Sequence, residues 1–203
     1  MIAVIDYGVG NLYSLASSLS FLGLENIVTD KERDLRRADK IILPGVGAFR
    51  DAAEKLRSTG LIDTVKEECA NGKPLLGICL GMQLLFEKSY EYGCCEGLSL
   101  IKGEVCPLTD DLTDKTLKVP HIGWNALKIL KDDKLFKYVN DGEYFYYVHS
   151  YYAKNCAEST LGVSDYSIPV TGVVKNGSVY GTQFHPEKSG DAGLRLLKGF
   201  AEL

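Results

Sequence analysis

The chain reads as an α/β fold: an open, mostly parallel sheet with helices on both faces, joined to a β-rich hairpin region in the C-terminal half. Three observations predict it. Short apolar runs alternate with amphipathic helical spacings through the first half, and parallel strands need such crossovers. One strand passes into a helix through Gly77-Ile-Cys79-Leu-Gly81. The second half is mostly strand-length runs, two of them flanking Asn176-Gly177, the strongest short hairpin signal.

Taken in order, Ile2–Ile5 is a strand of apolar residues. Leu12, Leu15, Leu19 and Leu22 then recur at helical spacing, and Gly23 is placed to stop that helix. Ile27-Val28 is a short strand, and Lys40–Leu43 is another that ends at Pro44-Gly-Val-Gly47. Helices are predicted around Phe49–Leu56 and Leu61–Ala70, the second closed by Asn71-Gly72. Pro74–Ile78 is a buried strand, followed at once by a helix over Met82–Glu87. Glu104–Leu108, Trp124–Leu130, Glu143–Ala153 and Val170–Phe184 are strand-rich, whereas Thr109–Lys118 is polar and reads as a surface loop. A final helix over Asp191–Leu203 carries Leu194, Leu197 and Phe200. No repeat, low-complexity tract or linker divides the chain, so residues 1–203 are expected to form one domain.

Composition narrows the function. A hydrophobic content of 45% and a charged content of 25% are those of a soluble globular protein. The net charge is −4 with Lys and Arg scattered, which argues against a nucleic-acid partner. No apolar run approaches the ~20 residues that span a membrane. Met1–Asp6 has no basic leader, so no signal peptide is expected. The six cysteines form no C-x-x-C, and His121, His149 and His185 lie outside zinc-site spacing, so no metal or cofactor is expected. The thiols are read as reduced, in a cytoplasmic compartment. Cys94 and Cys95 are adjacent, poor geometry for pairing with each other, and read as a loop feature. Asp6-Tyr-Gly-Val-Gly-Asn11 lacks the third glycine of a dinucleotide loop.

The chemistry centres on Cys79. A cysteine with glycine two residues to either side, between strand and helix, has the form of a nucleophile elbow. The glycines allow a strained turn and close strand–helix packing, and the helix start favours a thiolate. The bland reading is a small buried cysteine. A thiol nucleophile needs a base. His185 is ranked first, because Pro186 holds it extended and Glu187 lies two residues on. His149 is second, on a partly buried strand, and His121 is last, in a loop without an acidic neighbour. The glycines of Pro44–Gly47 could turn a backbone N–H toward an oxyanion, with the N–H of Leu80 as second donor.

Together these segments resemble the class I glutamine amidotransferases over nearly the whole chain. Pro-Gly-Val-Gly at 44–47, Gly-Ile-Cys-Leu-Gly-Met-Gln at 77–83 and Gln-Phe-His-Pro-Glu-Lys-Ser at 183–189 match that family's oxyanion loop, elbow and His-x-Glu in order. The resemblance implies a flavodoxin-like fold and hydrolysis of glutamine to glutamate and ammonia. It implies Cys79, His185 and Glu187 as catalytic triad, and Val46, Gly47 and Leu80 around the oxyanion. Gly47, Gln83, Glu91, Ser150 and Tyr151 would line the glutamine pocket. Within the class, segments 5–11, 120–125 and 148–151 are similar to the glutaminase subunits of imidazole glycerol phosphate synthases, which serve histidine biosynthesis. That implies a heterodimer in which ammonia passes to a (β/α)₈-barrel subunit and a phosphorylated ribulosyl acceptor, giving imidazole glycerol phosphate and an aminoimidazole carboxamide nucleotide. Asn11, Trp124, Tyr146 and Lys188 match the docking face of such subunits, although Trp124 and Tyr146 could equally be core aromatics. The resemblance also implies an oxyanion loop turned the wrong way until partner and ligand bind.

Three other readings stand beside it. The same glutaminase could feed another acceptor, in amidino-sugar, anthranilate or pyridoxal phosphate synthesis. A cysteine hydrolase or peptidase on a similar sheet would share the elbow but not His-Pro-Glu after a late hairpin. A non-catalytic module of this fold would not need Cys79, His185 and Glu187 intact.

Overall fold

A computed structural model describes residues 1–203. Its centre is an eight-stranded sheet. Four strands, β1 (Ile2–Ile5), β2 (Asn26–Thr29), β3 (Lys40–Leu43) and β4 (Leu75–Ile78), come from the first half of the chain. They alternate with helices α1 (Leu12–Phe21), α2 (Glu32–Arg37), α3 (Phe49–Ser58) and α4 (Ile62–Ala70). The helix α5 (Leu80–Leu84) leaves β4 directly at Cys79. Short strands β5 (Lys88–Ser89), β6 (Cys95–Glu96) and β7 (Glu104–Pro107) and one helical turn, α6 (Leu108–Asp111), follow. Then come β8 (His121–Ala126), β9 (Lys128–Ile129), β10 (Tyr144–His149), β11 (Tyr151–Lys154), β12 (Thr160–Asp165), β13 (Pro169–Asn176) and β14 (Val179–Thr182), and the chain closes with α7 (Gly190–Ala201).

The strand order is β2-β1-β3-β4-β14-β13-β12-β9. The first five are parallel, with β14 in register beside β4, and β13, β12 and β9 extend the sheet antiparallel. Four of the five parallel strands, β1, β3, β4 and β14, are almost wholly buried, as a sheet covered on both faces requires, while the edge strand β2 is partly exposed. One apolar cluster fills each side: Ile5, Leu43, Phe49, Leu75 and Met82 on one, Val4, Leu15, Ile42, Leu76 and Phe184 on the other. Two smaller sheets, β10-β8 and β11-β7-β5-β6, flank the carboxyl end of this core. No helix is long and apolar enough to cross a membrane.

Most predicted elements are present, and Gly23 follows α1 with φ +72°. The differences are local. The helix after Cys79 stops at Leu84 rather than Glu87. The carbonyls of Leu84, Leu85 and Phe86, which a longer helix would use, accept N–H groups of residues 98–101 instead. The hairpin loop is Gly177-Ser178, because Asn176 pairs with Val179 as the last strand residue and its side chain is held by the Leu100 carbonyl. Gly177 alone is at positive φ, +58°, a first-position requirement of the type II′ loop. The polar stretch 109–118 begins inside α6, whose Asp111 carboxylate binds Lys154 and Tyr152. The α2 helix and the β12 strand had no recognised signal: α2 is six residues with Leu35 as its one buried apolar side chain.

Candidate active site

The elbow is set by backbone geometry. Cys79 ends β4 and caps α5 at φ +53°, ψ −109°, a conformation that costs a non-glycine residue of order 1–3 kcal/mol. Its N–H is held by the Thr182 carbonyl at 2.7 Å. The flanking glycines are there for close approach. A Cβ on Gly81 would sit 1.9 Å from the Leu43 carbonyl oxygen, and one on Gly77 would sit 2.8 Å from the Gly81 backbone. The first helical turn is therefore pressed onto β3 and β4 with no space for side chains.

Cys79, His185 and Glu187 are brought together. His185 follows β14, the parallel neighbour of β4, so both residues leave the sheet at one edge. His185 has extended backbone, φ −99° and ψ 98°. Glu187 reaches it differently from the expectation of an extended segment. Pro186–Lys188 form a 3-10 turn, closed by hydrogen bonds from the Lys188 and Ser189 N–H groups to the His185 and Pro186 carbonyls. The turn carries the Glu187 carboxylate back to Nδ1 of His185 at 2.8 Å. Both side chains are nearly inaccessible, 2% and 3% exposed. Glu187 Oε2 and His185 Nε2 are buried without a hydrogen-bond partner. Burial disfavours the imidazolium, but the nearby Cys79 and Glu187 outweigh it and hold the His185 pKa above its ordinary value.

The other two histidines have structural roles. His121 is not in a loop: it begins β8 opposite His149 of β10 and stacks between Tyr147 and Tyr166. His121 Nδ1 lies 3.0 Å from His149 Nε2, and His149 Nδ1 lies 2.9 Å from the Tyr151 carbonyl. Burial depresses His121 to about 4, and burial together with the His121 charge depresses His149 to about 3. Both ring nitrogens of His149 are thus engaged away from Cys79.

A cavity of about 520 Å³ opens above the sulfur. Its wall includes Val46, Gly47, Cys79, Leu80, Gln83, Glu91, Ser150, Tyr151 and His185, so every pocket residue expected from sequence lines it. Gln83, one turn after Cys79, donates to the Tyr151 carbonyl at 3.0 Å and to Gln183 Oε1 at 3.1 Å. The Glu91 carboxylate accepts the Phe49 N–H at 2.6 Å, at the start of α3. Burial raises the Glu91 pKa, partly offset by that bond.

The oxyanion side is different. Gly47 has φ +94°, and Val46 is 40% exposed. The Leu80 N–H donates to the Gly45 carbonyl at 3.3 Å. Buried Tyr7, at the end of β1, donates to the Pro44 carbonyl at 2.6 Å. A donor expected for an oxyanion is therefore occupied by the loop expected to supply the other.

Of the expected docking residues, Trp124 and Tyr146 are cross-strand partners on β8 and β10, packed edge to face at 6.1 Å. Trp124 is 55% exposed, so it is no core aromatic. Lys188 is exposed on the 3-10 turn beside them, and Asn11 caps α1, which packs against that turn. The Tyr146 backbone accepts the His185 N–H and donates to Ser189 Oγ.

Sequence reasoning missed Gln183, Tyr92, Pro120 and Tyr7. Gln183 is fully buried, with its Nε2 3.7 Å from the Cys79 sulfur. Its position two residues before His185, on the same side of an extended segment, is the signal that could have found it. Nothing in the pattern marks Tyr92 or Pro120 as pocket wall, because both come from loops.

A strained cysteine, a buried His–Glu pair and a polar pocket thus stand together at one edge of a doubly wound sheet. The family model for class-I glutamine amidotransferases matches residues 3–202, and the chain belongs to that family. Its relatives include the imidazole glycerol phosphate synthase subunit HisH of Bacillus cereus (strain G9842), 50% identical over 98% of this chain and 93% of the relative. The HisH subunit of Listeria monocytogenes serotype 4a (strain HCC23) is 49% identical over 100% of this chain and 96% of its own. Among solved structures, a glutamine amidotransferase superposes with TM-score 0.77 at 20% identity, covering 100% of this chain and 98% of that one. PurLQS from Thermotoga maritima gives 0.74 at 18% identity over 99% and 97%. At these identities the structures show the shared fold.

Proposed function

We propose that this chain is the glutaminase subunit of an imidazole glycerol phosphate synthase, acting in the cytoplasm in histidine biosynthesis as one domain over residues 1–203. The observation that carries the catalytic reading is the convergence of Cys79 and His185 on the 520 Å³ pocket, with Glu187 behind the His185 ring at 2.8 Å. Cys79 passes its thiol proton to His185, its Sγ attacks Cδ of the glutamine side chain, and the carbonyl oxygen becomes an oxyanion. The C–N bond then breaks as His185 gives its proton to the departing ammonia, leaving a γ-glutamyl thioester. His185 next takes a proton from water, which attacks the thioester and releases glutamate and the thiol. Glu187 holds the ring by Nδ1 and steadies its positive charge. The balance is glutamine plus water to glutamate plus ammonia.

Gly47, Gln83, Glu91, Ser150 and Tyr151 hold the substrate. Both Nε2 hydrogens of Gln83 are engaged, so its Oε1 is the atom left to accept from glutamine. Glu91 supplies a carboxylate for the α-ammonium. Val46, Gly47 and Leu80 form the oxyanion site only after the loop releases the Leu80 N–H from Gly45; glycine at 47 permits the peptide rotation. Trp124, Tyr146, Lys188 and Asn11 meet a (β/α)₈-barrel synthase subunit, which receives the ammonia and uses it on a phosphorylated ribulosyl acceptor. The backbone bond from the His185 N–H to the Tyr146 carbonyl ties that face to the site.

The test is synthesis by the complex of this chain with a barrel subunit, fed with glutamine or with ammonia. C79A should abolish glutamine-dependent synthesis and leave ammonia-dependent synthesis intact. Retention of the glutamine-dependent reaction would refute Cys79 as nucleophile.

A further inference from the structure

Four polar groups form a continuous chain from the pocket wall to the sulfur. The Tyr151 carbonyl accepts from Gln83 Nε2 at 3.0 Å, Gln83 Nε2 donates also to Gln183 Oε1 at 3.1 Å, and Gln183 Nε2 lies 3.7 Å from Cys79 Sγ. Gln183 is 0% exposed. Its oxygen is bound by Gln83, and its amide N–H finds an acceptor only in the sulfur. A buried N–H without an acceptor is costly, and an anionic sulfur accepts more strongly than a thiol. The amide therefore favours the charged form of the nucleophile. The orientation is fixed from both ends. Gln83 sits on α5 one turn past Cys79, and the Gln183 backbone N–H is held by the Gly172 carbonyl at 2.9 Å. Flipping the Gln183 amide would set its NH₂ against that of Gln83, so the donor is locked toward Cys79.

We propose that Gln183 is a further catalytic residue, whose side-chain amide donates a hydrogen bond to the Cys79 thiolate and holds it ready for attack. The proposal rests on Cys79 being the nucleophile of glutamine hydrolysis. His185 moves the proton, and Gln183 supplies a fixed dipole to the same sulfur. The titratable groups around that sulfur are His185, with Glu187 behind its ring, Tyr7, whose phenol is raised by burial and by Cys79, and His149. None of them bonds to the Gln183 side chain.

The experiment compares Q183M, which keeps bulk and loses donor and acceptor, with Q183E, which keeps the acceptor for Gln83 and loses the donor. Alkylation of Cys79 by iodoacetamide is followed by peptide mass spectrometry in the chain alone, with C79A marking background from the other cysteines. Glutamine turnover is measured in the complex with the barrel subunit. Both variants should slow Cys79 alkylation at neutral pH about tenfold and lower kcat about tenfold, with KM within about twofold of the parent. Q183E reacting like the parent would overturn the proposal, because the side chain would then serve only Gln83. Raised KM with unchanged kcat and unchanged alkylation in Q183M would overturn it as well, by assigning Gln183 to pocket shape. Glutamine hydrolysis surviving in C79A would instead overturn the reading of Cys79, whatever Gln183 does.

Discussion

The two sides of the pocket are built to different degrees of completion. On the nucleophile side, Cys79 is strained into place, and His185 and Glu187 are held at 2.8 Å with both side chains nearly inaccessible. On the oxyanion side, the Leu80 N–H is spent on Gly45, and Val46 and Gly47 lie exposed. The difference follows from what holds each part. The elbow is pinned by two parallel strands and by glycine contacts that admit no Cβ. The 44–47 loop, past its Tyr7 anchor at Pro44, has glycine freedom and water around it. The geometry of the Cys79–His185–Glu187 group is thus fixed, and that of the 44–47 loop is not.

Breaking the finished side should give the largest effects. E187Q leaves the His185 ring without its carboxylate, and kcat of the complex should fall about 10³- to 10⁴-fold with KM little changed. Ammonia release measured against glutamine concentration checks this. G81A places a methyl against the Leu43 carbonyl, and overpacking of this severity costs about 3 kcal/mol. Calorimetry should show Tm lowered by about 6–12 °C for a chain of this size.

Changes on the conditional side should spare stability. W124A removes the exposed half of the Trp124–Tyr146 pair and should weaken barrel-subunit binding by about 2 kcal/mol, near 30-fold in Kd. Titration calorimetry reads the affinity, and Tm of the isolated chain should stay within a degree or so.

The buried histidine pair under that face gives a smaller, pH-dependent effect. His149 and His121 are depressed from 6.5 to about 3 and about 4. The unfolded chain therefore binds more protons than the folded one below 6.5. The stability of the neutral pair is complete above 6.5 and is lost as pH falls toward those values. At pH 5, His149 alone should account for about 2 kcal/mol relative to pH 7.5. H149N, which keeps a donor for the Tyr151 carbonyl, should flatten the acid limb of the Tm–pH curve.

The contrast between the two sides also marks what could be read from the chain. The elbow, His185–Glu187 and the parallel half were legible because they are local: glycine spacing, Pro186 and apolar runs state them within a few residues. Gln183 was not, because its meaning lies in contacts with residues 83 and 79, a hundred positions away. The end of α5 was misplaced for the same reason, since its carbonyls are claimed by residues 98–101. The capture of the Leu80 N–H has no sequence signature at all. It depends on how a glycine loop settles, and glycine leaves that open.

Glutamine turnover by this chain, measured alone and with a barrel synthase subunit carrying its ligand, tests the conditional oxyanion site most directly. One oxyanion donor is worth about 10²- to 10³-fold in kcat. Freeing the Leu80 N–H on complex formation predicts a rise of at least about a hundredfold. Equal turnover with and without the partner would contradict it.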